Sequence, residues 1–228
     1  MFKDRIEAGK KLAEKLVKHA KNSTIVVALP RGGVTVGYQV AQLLQTPLEV
    51  VIVRKLGSPR NPELGIGAVA EDGVLFWDTD MIDMLQIPNN ILRSIKEQEV
   101  TELERRRQLY RNGDSLPLLT NKTVILVDDG LATGVTARAA LLSIKKHHPK
   151  KIILAVPVCS KETGNELRSW VDSIICLESL ERLEAIGQYY QDFRQVTDEE
   201  VMTLLKKAKE DKLISSPNEN GFEHKIVW

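Results

Sequence analysis

The sequence predicts an α/β fold built on a mostly parallel sheet. Short apolar runs rich in β-formers recur at 25–29, 48–53, 66–69, 124–127, 152–156 and 174–177. Segments with helical spacing separate most of them, at 3–20, 34–45, 90–111, 134–148, 161–170 and 197–210. The runs are continuously apolar rather than alternating, which suits strands covered on both faces. Ligands of such sheets sit at the carboxyl ends of the strands.

Taken in order, the first helix places Phe2, Ile6, Ala13, Leu16, Val17 and Ala20 at amphipathic spacing. Asp4, Glu7 and Glu14 interrupt its basic residues, which argues against a transit peptide. The first strand runs into Leu29-Pro30-Arg31-Gly32-Gly33, a strand-to-helix turn with two glycines and a guanidinium fork. Arg54-Lys55 ends the second strand, and a Pro/Gly-rich surface loop follows at 57–63, carrying Arg60 and Glu63. Gly73 turns a hairpin between 66–71 and 74–77. The long helix mixes Leu92, Ile95, Leu103 and Tyr110 with Glu99 and Arg106, so that face is partly solvated or looks into a polar site. Its Arg105-Arg106-Arg107 run reads as a solvated face with acidic neighbours at helical spacing. His147-His148 closes a helix before Pro149; adjacent residues diverge on a helix, so the pair reads as an end cap rather than a metal site.

Residues 124–136 carry the most chemistry: Val-Ile-Leu-Val-Asp-Asp-Gly-Leu-Ala-Thr-Gly-Val-Thr. A buried strand ends in two carboxylates, Asp128 and Asp129, then a glycine-bearing turn opens a helix. Free amides at a helix start, with the positive end of its dipole, favour an anion. Two acids beside that cradle would repel a bare phosphate. They suit something between phosphates: sugar hydroxyls, a divalent metal ion, or both.

The composition is that of a globular protein: 228 residues, 43% hydrophobic and 28% charged. A net charge of +1 gives no bulk drive towards nucleic acid or an anionic membrane. Cys159 and Cys176 read as small buried hydrophobes in a reducing compartment, not a disulfide framework. No apolar run reaches the length of a membrane span, so a cytoplasmic protein is expected.

The 124–136 stretch resembles the phosphoribosyl-pyrophosphate (PRPP) motif of the type I phosphoribosyltransferases. The resemblance covers roughly residues 20–180, and the whole chain looks most like bacterial members with no established acceptor. It implies a central, mostly parallel sheet flanked by helices, with the long helix inserted. The expected organisation is one domain, with a small hood built from 1–20 and 180–228. Asp128 and Asp129 would hold the ribose hydroxyls, and through them or water an Mg²⁺ ion. Gly130, Leu131, Ala132, Thr133, Gly134, Val135 and Thr136 would bind the 5′-phosphate. Arg31, Gly32, Gly33, Arg54 and Lys55 would receive pyrophosphate, across a Pro30–Arg31 bond expected to be cis. Arg31, Lys55, Asp128 and Asp129 would thus carry the catalytic work. The 57–63 loop would close over the ligands with Arg60 and Glu63; Glu63 is also a candidate acid/base.

The implied reaction moves a 5-phosphoribosyl group from PRPP to a small-molecule, nitrogenous-base acceptor, releasing pyrophosphate, with Mg²⁺ as cofactor. A homodimer is expected, with no nucleic-acid or membrane partner. Ala132 stands where members acting on 6-oxopurines carry an acid, which argues against hypoxanthine and guanine. Tyr189, Tyr190 and Phe193 either stack on a planar acceptor or pack their segment onto the core, the second being preferred. The rival reading is a PRPP- or nucleotide-sensing regulator on the same fold; a weaker one is a phosphate-binding interaction domain.

Overall fold

A computed structural model describes residues 1–20 and 23–211. The last part of the expected hood, residues 212–228, lies outside the described residues. Five strands form a parallel sheet in the order β2-β1-β6-β7-β8: β1 Thr24–Ala28, β2 Leu48–Val50, β6 Thr123–Val127, β7 Lys151–Ser160 and β8 Ser173–Leu180. Three more form an antiparallel sheet, β3 Val53–Gly57, β4 Gly65–Ala70 and β5 Val74–Trp77. The helices are α1 Arg5–Leu16, α2 Gly32–Leu44, α3 Thr79–Leu85, α4 Asn89–Arg111, α5 Val135–Lys146, α6 Lys161–Leu167 and α7 Asp198–Glu210.

The continuous apolar runs are explained by a layer on each face of the main sheet. Val26, Ala28, Ile125 and Val127 pack with residues of α1, α2 and α7. Their neighbours Ile25, Val27, Val124 and Leu126 turn the other way, towards α5 and the antiparallel strands. Successive side chains of a strand point to opposite faces, so both sets must be apolar.

Three expectations are corrected. The apolar run 48–53 divides between two sheets. β2 ends at Val50, and the Ile52 amide donates to the buried Glu71 carboxylate (2.6 Å) before β3 begins. Continuous hydrophobicity hid that change of sheet. A short helix, α3, follows the hairpin, N-capped by Asp78, which accepts from the Met81 amide. The buried face of α1 also differs: it is Arg5, Ala8, Gly9, Leu12, Ala13 and Leu16, while Ile6 and Val17 are exposed. A charged residue therefore sits on the face that was expected to be apolar throughout.

The N-terminal residues are joined to the segment at 189–191. Phe2 donates its amide to the Tyr189 carbonyl (2.7 Å) and accepts from the Gln191 amide (2.8 Å). Phe2, Ala8, Val158 and Tyr190 form a small core beneath this junction. Among the described residues, no helix is long and apolar enough to cross a membrane.

Candidate functional site

The strand order reverses direction between β1 and β6. From β1 the chain crosses to β2 on one side; from β6 it crosses to β7 on the other. Connections leaving in opposite directions open a crevice at the carboxyl ends of these two strands, where ligands of open α/β sheets bind. The two sequence motifs lie at this point. They touch: the Leu29 amide donates to the Val127 carbonyl (2.9 Å), and a Cβ on Gly33 would lie 3.0 Å from the Asp128 Cα.

The acids occupy the floor. The Asp129 amide donates to Asp128 Oδ1 (2.9 Å), a local bond that fixes the first carboxylate. Burial, and then the neighbouring Asp129 charge, push the Asp128 carboxyl well above the usual range. Asp129 Oδ2 is paired with Arg5 Nε of α1 at 2.7 Å. The same oxygen lies where a side chain on residue 32 would stand, so only glycine admits it there. The Pro30–Arg31 bond is cis, as the resemblance implied.

The loop after the acids is fixed from outside. Leu131 forms a parallel bridge with Cys159: its amide donates to the Val158 carbonyl (2.9 Å), and its carbonyl accepts from the Ser160 amide (2.8 Å). The Ala132 carbonyl accepts from Thr163 Oγ1 (2.5 Å), and the Thr133 carbonyl from Arg138 (2.7 Å). Gly134 then takes φ +74°, the left-handed turn that starts α5. With these carbonyls drawn outward, the first amides of α5, which have no intrahelical partner, offer the donors for an anion.

Arg31 is the N-cap residue of α2, and its guanidinium lies 3.7 Å from Asp198 of α7. Arg105 of α4 also pairs with Asp198 (2.7 Å), and the Tyr110 hydroxyl bonds to it. Burial alone would raise the Asp198 carboxyl, but these donors hold it below its ordinary value. The Arg105-Arg106-Arg107 run is therefore more than a solvated face. It makes the expected local pairs with Glu102 and Glu104, yet Arg106 is buried and Arg105 reaches another helix.

Arg54 and Lys55 do not act as a pair. Adjacent strand residues face opposite sides. Arg54 turns to α4 and is held by Glu99 at 2.7 Å, on the face away from Lys55. Lys55 lies on the other face, near Val135 at the start of α5, and its ammonium is 2.9 Å from Glu63. The Lys55 hydrogen bond and charge hold the exposed Glu63 carboxyl below its ordinary value. The loop bearing exposed Arg60 is closed by bonds from Ser58 to Leu64 (2.8 Å) and from Leu64 to Asn61 (2.9 Å).

The aromatic segment packs, as preferred. Tyr190 is buried; its hydroxyl donates to the Asp129 carbonyl (2.7 Å), and burial and the nearby Asp129 charge raise its phenol far above the ordinary value. Phe193 lies 4.9 Å from Tyr190, and Tyr189 joins the same cluster. Sequence reasoning missed Arg5, Asp198 and Ile186, the last of which packs on Gly130. No local motif marks them; each reaches the site from a distant part of the chain.

Hard carboxylate oxygens suit Mg²⁺, which is commonly held by one or two carboxylates together with substrate oxygens. Among the described residues no group of three or more His, Cys, Asp or Glu gathers to hold a metal alone. With Asp129 already paired to Arg5, the donor set fits an ion carried by its ligand rather than a self-sufficient metal centre.

Comparison with known proteins agrees with this geometry. A family model described as the phosphoribosyl transferase domain matches residues 2–194. A Mycobacterium tuberculosis protein provisionally named a phosphoribosyl transferase is 38% identical over 212 residues, 92% of this chain and 48% of its own length. The chain therefore spans about half the length of the curated relatives it matches. The crystal structure of TT1426 from Thermus thermophilus superposes with a TM-score of 0.73 at 36% identity, covering 90% of this chain and 98% of that one. The AQ2163 protein of Aquifex aeolicus shares the fold at 16% identity, with a TM-score of 0.51 over 80% of this chain and 76% of its own.

Proposed function

The chain belongs to the phosphoribosyl transferase domain family, and from that premise we propose that it transfers a 5-phosphoribosyl group from PRPP to a nitrogenous base, releasing pyrophosphate. The observation that carries this reading is the meeting of two acids, an anion loop and the Arg31 turn at one switch point. PRPP has the matching order of groups: a 5′-phosphate, two ribose hydroxyls, and a pyrophosphate.

In this reading the amides of Thr133–Thr136 receive the 5′-phosphate, and Asp128 and Asp129 accept hydrogen bonds from the ribose hydroxyls. The Gly32-Gly33 turn, Arg31 and Lys55 receive the pyrophosphate. Mg²⁺, when bound, neutralises the leaving group's charge. The chain's own contribution is positioning and electrostatic stabilisation of a cationic sugar carbon. Closure of the 57–63 loop, with Arg60 and Glu63, excludes water. Ala132 offers a methyl group where an acid would be needed for a 6-oxopurine, so hypoxanthine and guanine are disfavoured.

The chain is read as one domain, its hood formed by α1 and the described segment 180–211, acting in the cytoplasm as a homodimer. The test is labelled PRPP with Mg²⁺ and a panel of bases. Pyrophosphate release dependent on one base supports the enzyme. Tight PRPP binding without turnover across the panel favours the sensing regulator instead, a reading helped by the internal packing of Tyr190 and Phe193. Replacing both acids (Asp128→Asn with Asp129→Asn) is expected to weaken PRPP binding at least about 100-fold. Unchanged affinity, measured by calorimetry, would sink the site assignment.

A further inference from the structure

Arg5 is a buried cation on a helix that the donor motifs do not include. Only 8% of the residue is exposed. Burying a guanidinium is costly unless its donors are matched and its charge is paired. Here three separate groups meet those needs. Nε donates to Asp129 Oδ2 at 2.7 Å. Nη1 donates to the Arg194 carbonyl at 3.0 Å. The guanidinium carbon lies 3.8 Å from the Phe193 ring centroid, within the range of a cation–π contact. The Asp129 side chain is 14% exposed, so this is a desolvated pair rather than a surface one.

The contacts have a direction. Arg5 takes one Asp129 oxygen, Oδ2, the oxygen packed against Gly32. Arg5 and Gly32 thereby hold Oδ2 in place on the α1 side of the crevice. The opposite edge of the guanidinium and its flat face are held by the segment at 193–194. Tyr190 ties that segment to Asp129 a second time, through the backbone carbonyl. The orientation of Asp129 is thus set from α1, and Arg5 is in turn held by the segment at 193–194.

We propose that Arg5 is a positioning residue for the donor site, holding Asp129 in the orientation that meets a ribose hydroxyl and joining that orientation to the seating of the hood. The proposal rests on the phosphoribosyl-transfer reading. It goes beyond that reading in placing a determinant of ribose recognition outside the acid motif, on the N-terminal helix. Lysine would not replace it, since an ammonium lacks the fork and the flat face that meet Asp129, Arg194 and Phe193 together.

The test is calorimetric titration of wild type, Arg5→Gln and Arg5→Lys with PRPP and with inorganic pyrophosphate, each with Mg²⁺, alongside thermal melting without ligand. Pyrophosphate reports the Arg31 turn, which Arg5 abuts at Gly32 while directing its hydrogen bonds to Asp129 and Arg194; PRPP reports the ribose acids as well. Arg5→Gln is expected to weaken PRPP about 10- to 100-fold, the usual cost of losing a partner that orients a ligating group. Pyrophosphate affinity is expected to stay within about twofold, and Arg5→Lys to recover only part of the PRPP loss. Arg5→Lys keeps the buried charge and carries the same test if Arg5→Gln does not fold. Equal losses for both ligands would mean a purely structural role and overturn the proposal. Unchanged PRPP affinity would overturn it, as would tighter PRPP binding, which would make the pair a blocking contact. A wild type that binds neither ligand would instead remove the phosphoribosyl-transfer reading, and the positioning role with it.

Discussion

Two ion pairs fasten the crevice to α1 and α7, and they are opposite in sign and in tightness. On one side α1 presents a cation to a crevice acid: Arg5 to Asp129, 2.7 Å, with side chains 10% and 14% exposed. On the other, α7 presents an acid to a crevice cation: Asp198 to Arg31, 3.7 Å, with Arg31 24% exposed. The first acid has one cation. The second is shared, with Arg105 and Tyr110 holding it more closely than Arg31 does. The contrast separates geometry from exchange. A tight, desolvated pair fixes an orientation, whereas a loose pair on an acid already satisfied elsewhere lets the cation leave for an incoming anion.

The largest expected effect breaks the tight side. Gly32→Ala would place a methyl group against Asp129 Oδ2 and near Arg5 Nε. We expect destabilisation of about 1–3 kcal/mol by overpacking and loss of PRPP binding, read by denaturant melting and calorimetry. An alanine variant that binds PRPP like wild type would show that the Asp129 oxygen is free to move.

Next comes the loose side. Asp198→Asn removes the charge that Arg105, Tyr110 and Arg31 share. Stability should fall by about 1.5–3 kcal/mol, the range for hydrogen bonds to a charged group. The Asp198 carboxyl titrates below its ordinary 3.8 in the folded protein. Its contribution is therefore complete above 3.8 and is lost as pH falls through the lower folded value. Wild type and variant should differ at pH 7 and converge in strong acid. Pyrophosphate affinity should hold or improve, because Arg31 loses a competitor; a marked loss would mean that Asp198 orients Arg31 for its ligand.

A smaller effect has the opposite sign. Burial and the Asp129 charge raise the Asp128 carboxyl, so the folded state retains a proton that the unfolded chain releases. Stability accordingly falls as pH rises from the unfolded value through the raised folded one, and the deficit persists at neutral pH. Asp128→Asn removes it and keeps the amide oxygen that the Asp129 N–H needs. The ligand-free variant should gain on the order of 1 kcal/mol at pH 7, the size usual for relieving a functional position, with the gain shrinking towards pH 4. A variant less stable than wild type at pH 7 would contradict this account. Smallest of all, Glu63→Gln should change stability by less than about 0.5 kcal/mol, since the Lys55–Glu63 pair has one partner 91% exposed.

What the sequence made legible was local. The strand at 124–127, its two acids and the turn to α5 occupy contiguous positions, and each has a residue type that announces its role. The hairpin and most helices were legible for the same reason. Arg54 and Lys55 looked like a pair because sequence adjacency conceals the alternation that sends one to Glu99 and the other to Glu63. Arg5 was invisible because its partners lie 124 and 189 residues away, and a charged residue beside an apolar stripe reads as surface. The break in 48–53 escaped for a different reason. It depends on Glu71, whose carboxylate takes the Ile52 amide from the end of another strand.

The bridge between Leu131 and Cys159 has a consequence for how the anion loop meets its ligand. With Leu131 tied to Val158 and Ser160, and the Ala132 and Thr133 carbonyls bound from α6 and α5, the loop acquires its shape when the sheet forms. The entropy lost in ordering a glycine-bearing turn is thus charged to folding rather than to binding. Affinity for a phosphate at this loop would then depend on how well the second crossing of the sheet is built, so that a weakened β7–α6 junction would loosen the grip on an anion it never touches.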